Sequence, residues 1–420
     1  MRLNIKNEYL RNILTLILGT GIAQLIPILI LPVLTRLYTP SDFGVFGVFI
    51  GVTSILGIVA SAKYDVAIMQ PISDYDADQV FKLSIFISST IVCFLYIVLF
   101  LFSNILKGTT DYYEVFYLIP ITVLIISFNS SFTFLLNRKK HYNQMSKNKI
   151  LQSILIGVIS LTFGYIDFGY MGLIIGYVVG NLFVTLLLYF KYWKDIEKAN
   201  RISILNMARV YNHYPLFGLP SSISNTMASQ IPIILIGKIF NESISGFYYL
   251  VDKILSAPIS LLAVSIGSVF RQHGQEEKNT IGNYNKIYIL TLKKLIMMGL
   301  PIFTIIGVFG KEIFSFAFGV EWIEVGLYAQ ILAPMFFLKF IISPLLFSFH
   351  ISNKLEIDLV GQIIYVLSIF CAIFIGYLLS DALVTIILIS IAGSLFYLSF
   401  FYITYNYSKT ITEIKNDSYN

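Results

Sequence analysis

Residues 12–60 read NILTLILGTGIAQLIPILILPVLTRLYTPSDFGVFGVFIGVTSILGIVA, and the only charged side chains among them are Arg36 and Asp42. Both fall in a short polar step, RLYTPSD, that separates an apolar run at 12–35 from a second at 43–62. Each run matches the roughly 20 residues that carry a helix across a bilayer. In hydrocarbon every backbone N–H and C=O needs an internal partner, and a helix supplies one to each. The stretch therefore specifies two membrane-crossing helices joined by a tight polar turn.

Outward from that pair the pattern repeats along the chain. Further apolar runs occupy 82–105, 114–136, 150–166, 170–190, 215–237, 244–270, 287–309, 325–349, 356–379 and 383–404. Composition agrees: 57% of the 420 residues are hydrophobic, 12% are charged and the mean hydropathy is +0.79, whereas about a quarter of a soluble domain is charged. The basic leader with Arg2, Lys6 and Arg11 resembles the start of a secretory signal. The run behind it is too long for a signal core and has no small-residue cleavage site, so it reads as a retained first helix. Cys93 and Cys371 both lie within apolar runs, which argues against a disulfide or a metal site. The four histidines, at 141, 213, 273 and 350, are too scattered for a ligand set.

The net charge of +6 follows from membrane topology rather than from nucleic-acid binding. With the N-terminus inside, cytoplasmic segments hold 23 Lys and Arg, counting Lys82, Lys293 and Lys294 in first helical turns, while the external ones hold four: Arg36, Lys107, Lys238 and Lys311. Such an asymmetry over short loops places both termini in the cytoplasm of a multi-pass cell-membrane protein and requires an even number of helices. The longest external connection, about 310–324, leaves no room for a catalytic domain.

A weak internal match pairs Arg36–Phe46 (RLYTPSDFGVF) with Lys238–Tyr248 (KIFNESISGFY) at an offset of 202 residues. Both copies lie on an external turn after an odd-numbered helix, as expected for two six-helix halves related by an axis normal to the membrane. The domain reading is an N-terminal bundle at 1–192, a cytoplasmic linker at 193–214 and a C-terminal bundle with a short tail at 215–420. Gly172, Gly176 and Gly180 form a small-residue face that permits close helix packing.

Residues 12–60, the continuation Ala62–Pro71 (AKYDVAIMQP), Gly246–Pro258 (GFYYLVDKILSAP) and Phe318–Pro344 (FGVEWIEVGLYAQILAPMFFLKFIISP) resemble the polysaccharide-exporting branch of the MOP (multidrug/oligosaccharidyl-lipid/polysaccharide) transporters, which includes the Wzx-type O-antigen flippases. The resemblance implies an all-α membrane protein with 12 transmembrane helices in a V-shaped pair of bundles, as in the MATE-like fold. It implies alternating access and an undecaprenyl-pyrophosphate-linked oligosaccharide as substrate, with a polysaccharide polymerase and other glycan-assembly proteins as partners.

Charges within a span cost at least about 2.5 kcal/mol at mid-bilayer, so each is a functional candidate. Lys339, within MFFLKFIIS, lies too deep to reach an interface easily. Lys253 and Asp252 lie about ten residues into their helix. Neighbouring residues point about 100° apart, so the two do not pair along one helix. Asp252 either neutralises a cation on another helix or faces the substrate path; Lys253 reads as a lumen cation, at a position where the family pattern carries a basic residue. Lys63 and Asp65 close the second helix at the cytoplasmic interface, where orientation and snorkelling explain them as well as substrate contact does. Cations suit a pyrophosphate that must shed water, and amides such as Gln24, Asn129, Asn181, Gln230 and Gln330 suit sugar hydroxyls. Of these amides, Asn129 and Gln24 are the preferred candidates.

Two other functions fit the composition less well. A cation-coupled multidrug exporter of the same fold resembles chains with an acidic residue in the first bundle's helices, whereas helix 1 here has none. A membrane glycosyltransferase or polymerase needs acid–base groups on an external loop, where only Lys311, Glu312, Glu321 and Glu324 cluster. The cytoplasmic segments contain no GxxxxGK[ST] loop. The expectation is a transporter without a cofactor and without enzymatic activity, with a proton or sodium gradient open as its driving force.

Overall fold

A computed structural model describes residues 2–103, 112–196, 198, 200–352 and 354–410. Lys107, counted above as an external cation, lies outside the described residues, as does the end of the 82–105 run. Among the described residues there is no strand, and twelve long helices follow the twelve apolar runs. They are α1 (Arg2–Leu37), α2 (Pro40–Ser61), α3 (Asp74–Leu101), α4 (Glu114–Arg138), α5 (Tyr142–Tyr165), α6 (Tyr170–Tyr192), α7 (Leu219–Ile239), α8 (Glu242–Ile281), α9 (Asn285–Phe318), α10 (Ile323–Leu345), α11 (Leu355–Leu379) and α12 (Ala382–Lys409). Ten are both long and apolar enough to cross a membrane. The other two, α5 and α7, are long enough but more polar: α5 carries Gln144, Asn148 and Gln152, and α7 carries Asn225, Ser229 and Gln230. The chain is a multi-pass membrane protein.

Several helices outrun their apolar cores. At 40 residues, α8 is about 60 Å long, twice the hydrocarbon thickness, so the polar stretch after about residue 270 continues as helix beyond the bilayer. α9 continues past a non-helical residue, Phe309 (φ −111°, ψ 20°), to Phe318. Most of the external connection expected at 310–324 is therefore helix, seated where Gly326 lies against the Lys311 backbone.

By packing, the chain divides into two units, Met1–Gly246 and Phe247–Asn420. In the first, α5 lies between α1 and α6, and α4 packs on α2, α3 and α6. α7, which the sequence reading grouped with the second bundle, packs along α2. In the second, α9 lies along α10, and α12 packs on both α10 and α11. The segment read as a linker, 193–214, is tied to the first unit. A short helix, Arg201–Val210, packs on α3, its start capped by Asn200. Gln79 holds both ends of the turn before it, donating to the Lys198 carbonyl at 3.1 Å and accepting from Asn200 N–H at 2.9 Å.

The internal match of the sequence has a structural counterpart within the first unit. Thr39 caps α2 by accepting from Asp42 N–H at 3.2 Å, while the Asp42 carboxylate accepts from Thr39 N–H at 2.8 Å. At the equivalent place Asn241 caps α8 by accepting from Ile244 N–H at 2.8 Å. The equivalent glycines make reciprocal contacts: a methyl on Gly44 would strike the Glu242 carbonyl, and one on Gly246 would strike the Pro40 carbonyl. Residue 44 meets 242 as residue 246 meets 40, the pairing that a local two-fold relation produces. Only glycine lets the two helix starts approach this closely.

Candidate functional site

In the second unit the intramembrane charges gather around one carboxylate. Asp252, half-buried on α8, accepts from Ser256 Oγ one turn on at 3.3 Å and lies within electrostatic range of the ammonium groups of Lys339 and Lys253. Lys339 is the cation on a neighbouring helix, α10, that the sequence left open for Asp252. Its Nζ lies 5.0 Å from the centre of the Phe336 ring, a cation–π arrangement. It makes no ion pair within 4.0 Å; the contact ion pairs among the described residues are Arg138–Asp74 and His273–Glu276. Lys253 follows Asp252 on α8 and is not in contact with a carboxylate among the described residues.

Three buried tyrosines share the field of Asp252: Tyr248 on α8, Tyr365 on α11 and Tyr397 on α12. Tyr365 stacks on Phe396, with centroids 4.4 Å apart and rings 12° from parallel. Two of the three, Tyr365 and Tyr397, lie on helices other than that of Asp252. Nothing in the spacing of residues on α11 or α12 marks them, because only packing brings them to α8. Two cations, one carboxylate and aromatic hydroxyls form a group that can hold an anion without water and offer hydroxyls beside it.

The candidates of the first unit do not join that group. Asp65 is buried, and its carboxylate accepts from Ser130 Oγ of α4 at 2.6 Å and from the Val66 N–H at 3.0 Å. Lys63 is half-buried, adopts a left-handed conformation (φ 63°) and opens a single helical turn, Tyr64–Ala67. Tyr64 between them donates to the Ala208 carbonyl at 3.0 Å, and burial raises its phenol pKa. This step ties the end of α2 to α4 and to the Arg201–Val210 helix. Asn129 donates to Thr185 Oγ1 of α6 at 3.3 Å, and Gln24 is half-buried on α1.

Asn129 also borders a small cavity with Asn148, Lys149 and Gln152 of α5. Asn148 and Lys149 were missed because the sequence reading began that helix at 150, and Gln152, inside the run, was not singled out. The signal was present in Gln144, Asn148 and Gln152, a polar stripe at spacing four. At the end of α4, Arg138 binds the Asp74 carboxylate at 3.0 Å and the Pro71 carbonyl at 2.6 Å. Lys82, counted among the cytoplasmic cations, stands with Nζ 3.4 Å from the centre of the Trp193 ring. Cys93 and Cys371 are exposed and unbonded.

A family model described as "Polysaccharide biosynthesis protein" matches residues 33–327. The chain belongs to that family. It is 22% identical over 300 residues to the teichuronic acid biosynthesis protein TuaB of Bacillus subtilis, a match that covers 69% of this chain and 61% of that relative's length. In fold it is similar to the lipid II flippase MurJ in an inward closed conformation, with a TM-score of 0.71 at 14% identity, covering 94% of this chain and 87% of that one. It is also similar to an inward-facing multidrug resistance MATE family transporter of the MOP superfamily, with a TM-score of 0.68 at 17% identity and 93% coverage of both chains. A MOP superfamily transporter from Pyrococcus furiosus with a binding pocket of reverse polarity gives 0.59 at 16%, with 94% of each chain covered. The MOP-like fold expected from the sequence is thus observed.

Proposed function

We propose that this protein is a flippase that carries an undecaprenyl-pyrophosphate-linked oligosaccharide, the repeat unit of an O-antigen or a similar surface polysaccharide, from the cytoplasmic to the outer face of the cell membrane. The observation that carries this reading is the group of Lys339, Lys253 and Asp252 at membrane depth in a chain of a polysaccharide-biosynthesis family. Ammonium groups at that depth cost free energy unless something anionic uses them. A pyrophosphate does so, while the polyprenyl tail remains in lipid.

In this mechanism the head group enters from the cytoplasm, exchanges hydration for the lysines, and leaves outward by alternating access. Movement outward has to loosen the Gly44–Glu242 and Gly246–Pro40 contacts at the external turns. A proton or sodium gradient drives the cycle, and polymerase and assembly proteins take the product. The excess of basic residues in the segments assigned to the cytoplasm supports cytoplasmic termini. The decisive experiment deletes the gene and analyses lipid-linked glycans on the inner face. Accumulation of an undecaprenyl-linked oligosaccharide supports the reading, and its absence overturns it.

A further inference from the structure

The second unit carries a groove between α8 and α9, and none of Asp252, Lys253 and Lys339 lines it. The two helices are joined by a turn at 282–284 and wall the groove together, so positions at equal distance from the turn share a level. Near the turn both walls carry ionisable groups: His273, Glu276 and Glu277 on α8, and Lys286 and Lys294 on α9. Farther from it both become apolar, with Ile266, Val269 and Phe270 on one side and Met298 on the other. The change falls where α8 leaves hydrocarbon, after about residue 270, so the groove crosses the level of the lipid headgroups.

The charges at this level are not balanced. Glu277 is spent on the start of α9, where its carboxylate accepts from Ile287 N–H at 3.0 Å. Glu276 accepts from Gln272 Nε2 at 3.1 Å and meets His273 Nδ1 at 3.1 Å. Lys286 and Lys294 are exposed and make no ion pair with a described residue. Lys293 stands with them on the adjoining surface of α9 and adds to the same field. The groove holds about 800 Å³, the size of a small-molecule site, and it is open along one side, so chains entering it can run on into the bilayer. Basic pockets between membrane helices at this level hold anionic lipid headgroups.

We infer that the groove between α8 and α9 binds an anionic phospholipid of the adjoining leaflet, with its phosphate on Lys286 and Lys294 and its acyl chains along Val269, Ile266 and Met298. Charge complementarity selects the occupant. With both carboxylates engaged, the groove has cations to offer a phosphate and no free acid for the ammonium of a zwitterionic headgroup. On the orientation proposed above, this is the cytoplasmic leaflet.

The test is native mass spectrometry of the purified full-length chain in detergent, titrated with phosphatidylglycerol and, separately, with phosphatidylethanolamine of the same acyl chains. The expected result is phosphatidylglycerol retained severalfold more strongly. Each cation near the membrane surface is worth about fivefold in such binding, so Lys286→Gln combined with Lys294→Gln should lower it roughly 25-fold at an unchanged melting temperature. Lys147→Gln combined with Lys194→Gln removes the same charge from exposed positions of the first unit and should leave binding unaltered. Met298→Trp fills the apolar part, keeps both lysines and should weaken binding severalfold, whereas attraction by surface charge alone would ignore it. No retained lipid, no preference for phosphatidylglycerol, equal losses in the two lysine pairs, or unchanged binding in Met298→Trp overturns the inference. Undecaprenyl phosphate that displaces phosphatidylglycerol at equal concentration also overturns it, since the groove would then belong to the substrate path.

Discussion

The two units keep polar groups among their helices in different ways. The second concentrates formal charge at mid-helix, with Lys339 and Lys253 around Asp252 and three tyrosines about it. The first places its ions near helix ends, as in Arg138–Asp74 and Lys82 over Trp193, and lines its middle with neutral amides and hydroxyls such as Asn129, Thr185, Gln152 and Asn181. Charge is the costlier device in a bilayer and is useful where an anion must be desolvated. Amides are cheaper and directional, and sort neutral groups by donor and acceptor pattern.

That contrast can be broken by mutation. The largest effect is expected for Lys339→Ala, which removes charge-assisted contacts worth about 1.5–3 kcal/mol and so lowers export about 10- to 100-fold at unchanged protein level. Lys339→Arg should retain a large part, and full surface glycan in Lys339→Ala and Lys253→Ala would refute the cationic role. Asp252→Asn should act in the opposite sense on binding: pyrophosphate held more tightly by the two lysines, with slower export. Weaker binding would make Asp252 a ligand rather than a counter-ion.

The reciprocal glycines sharpen the comparison from the other side, because there the two copies are alike. Gly44→Ala and Gly246→Ala should each destabilise the chain by about 1–3 kcal/mol through overpacking, by similar amounts, in thermal melts. A strongly unequal pair would show that the two-fold relation is not energetic. The smallest effect is that of Tyr38→Phe, which removes a donor to the Ser160 carbonyl at 2.6 Å and costs about 1 kcal/mol. Burial, aided by Asp42, raises the Tyr38 phenol from 10.0 to about 12. The folded state thus favours the neutral form, so its stabilisation is complete below pH 10 and is lost as pH rises towards 12. Tyr38→Phe should flatten stability against pH in that window.

Helix number and order were legible because hydrocarbon forces each apolar run into one helix. The deep charges were legible for the same reason, since a lysine within MFFLKFIIS stands out against its neighbours. Helix ends were less so: once outside hydrocarbon, α5, α8 and α9 continue through polar residues that hydropathy reads as loop. Asp65 illustrates a second limit, because its partner Ser130 is 65 positions away and carries no mark in the sequence.

What the sequence alone determined is the membrane class, the helix order, the internal repeat and the few charges in apolar runs, all of them consequences of transfer free energy read one segment at a time. Tertiary structure alone decided that Lys339 and Asp252 share a field, that Tyr365 and Tyr397 join them, that Gly44 and Gly246 exchange contacts, and that Lys191 orients Asn148 through Gln144. Those depend on which faces of distant helices meet, and packing settles that through side-chain shape and hydrogen-bond direction rather than through the hydropathy of any one helix.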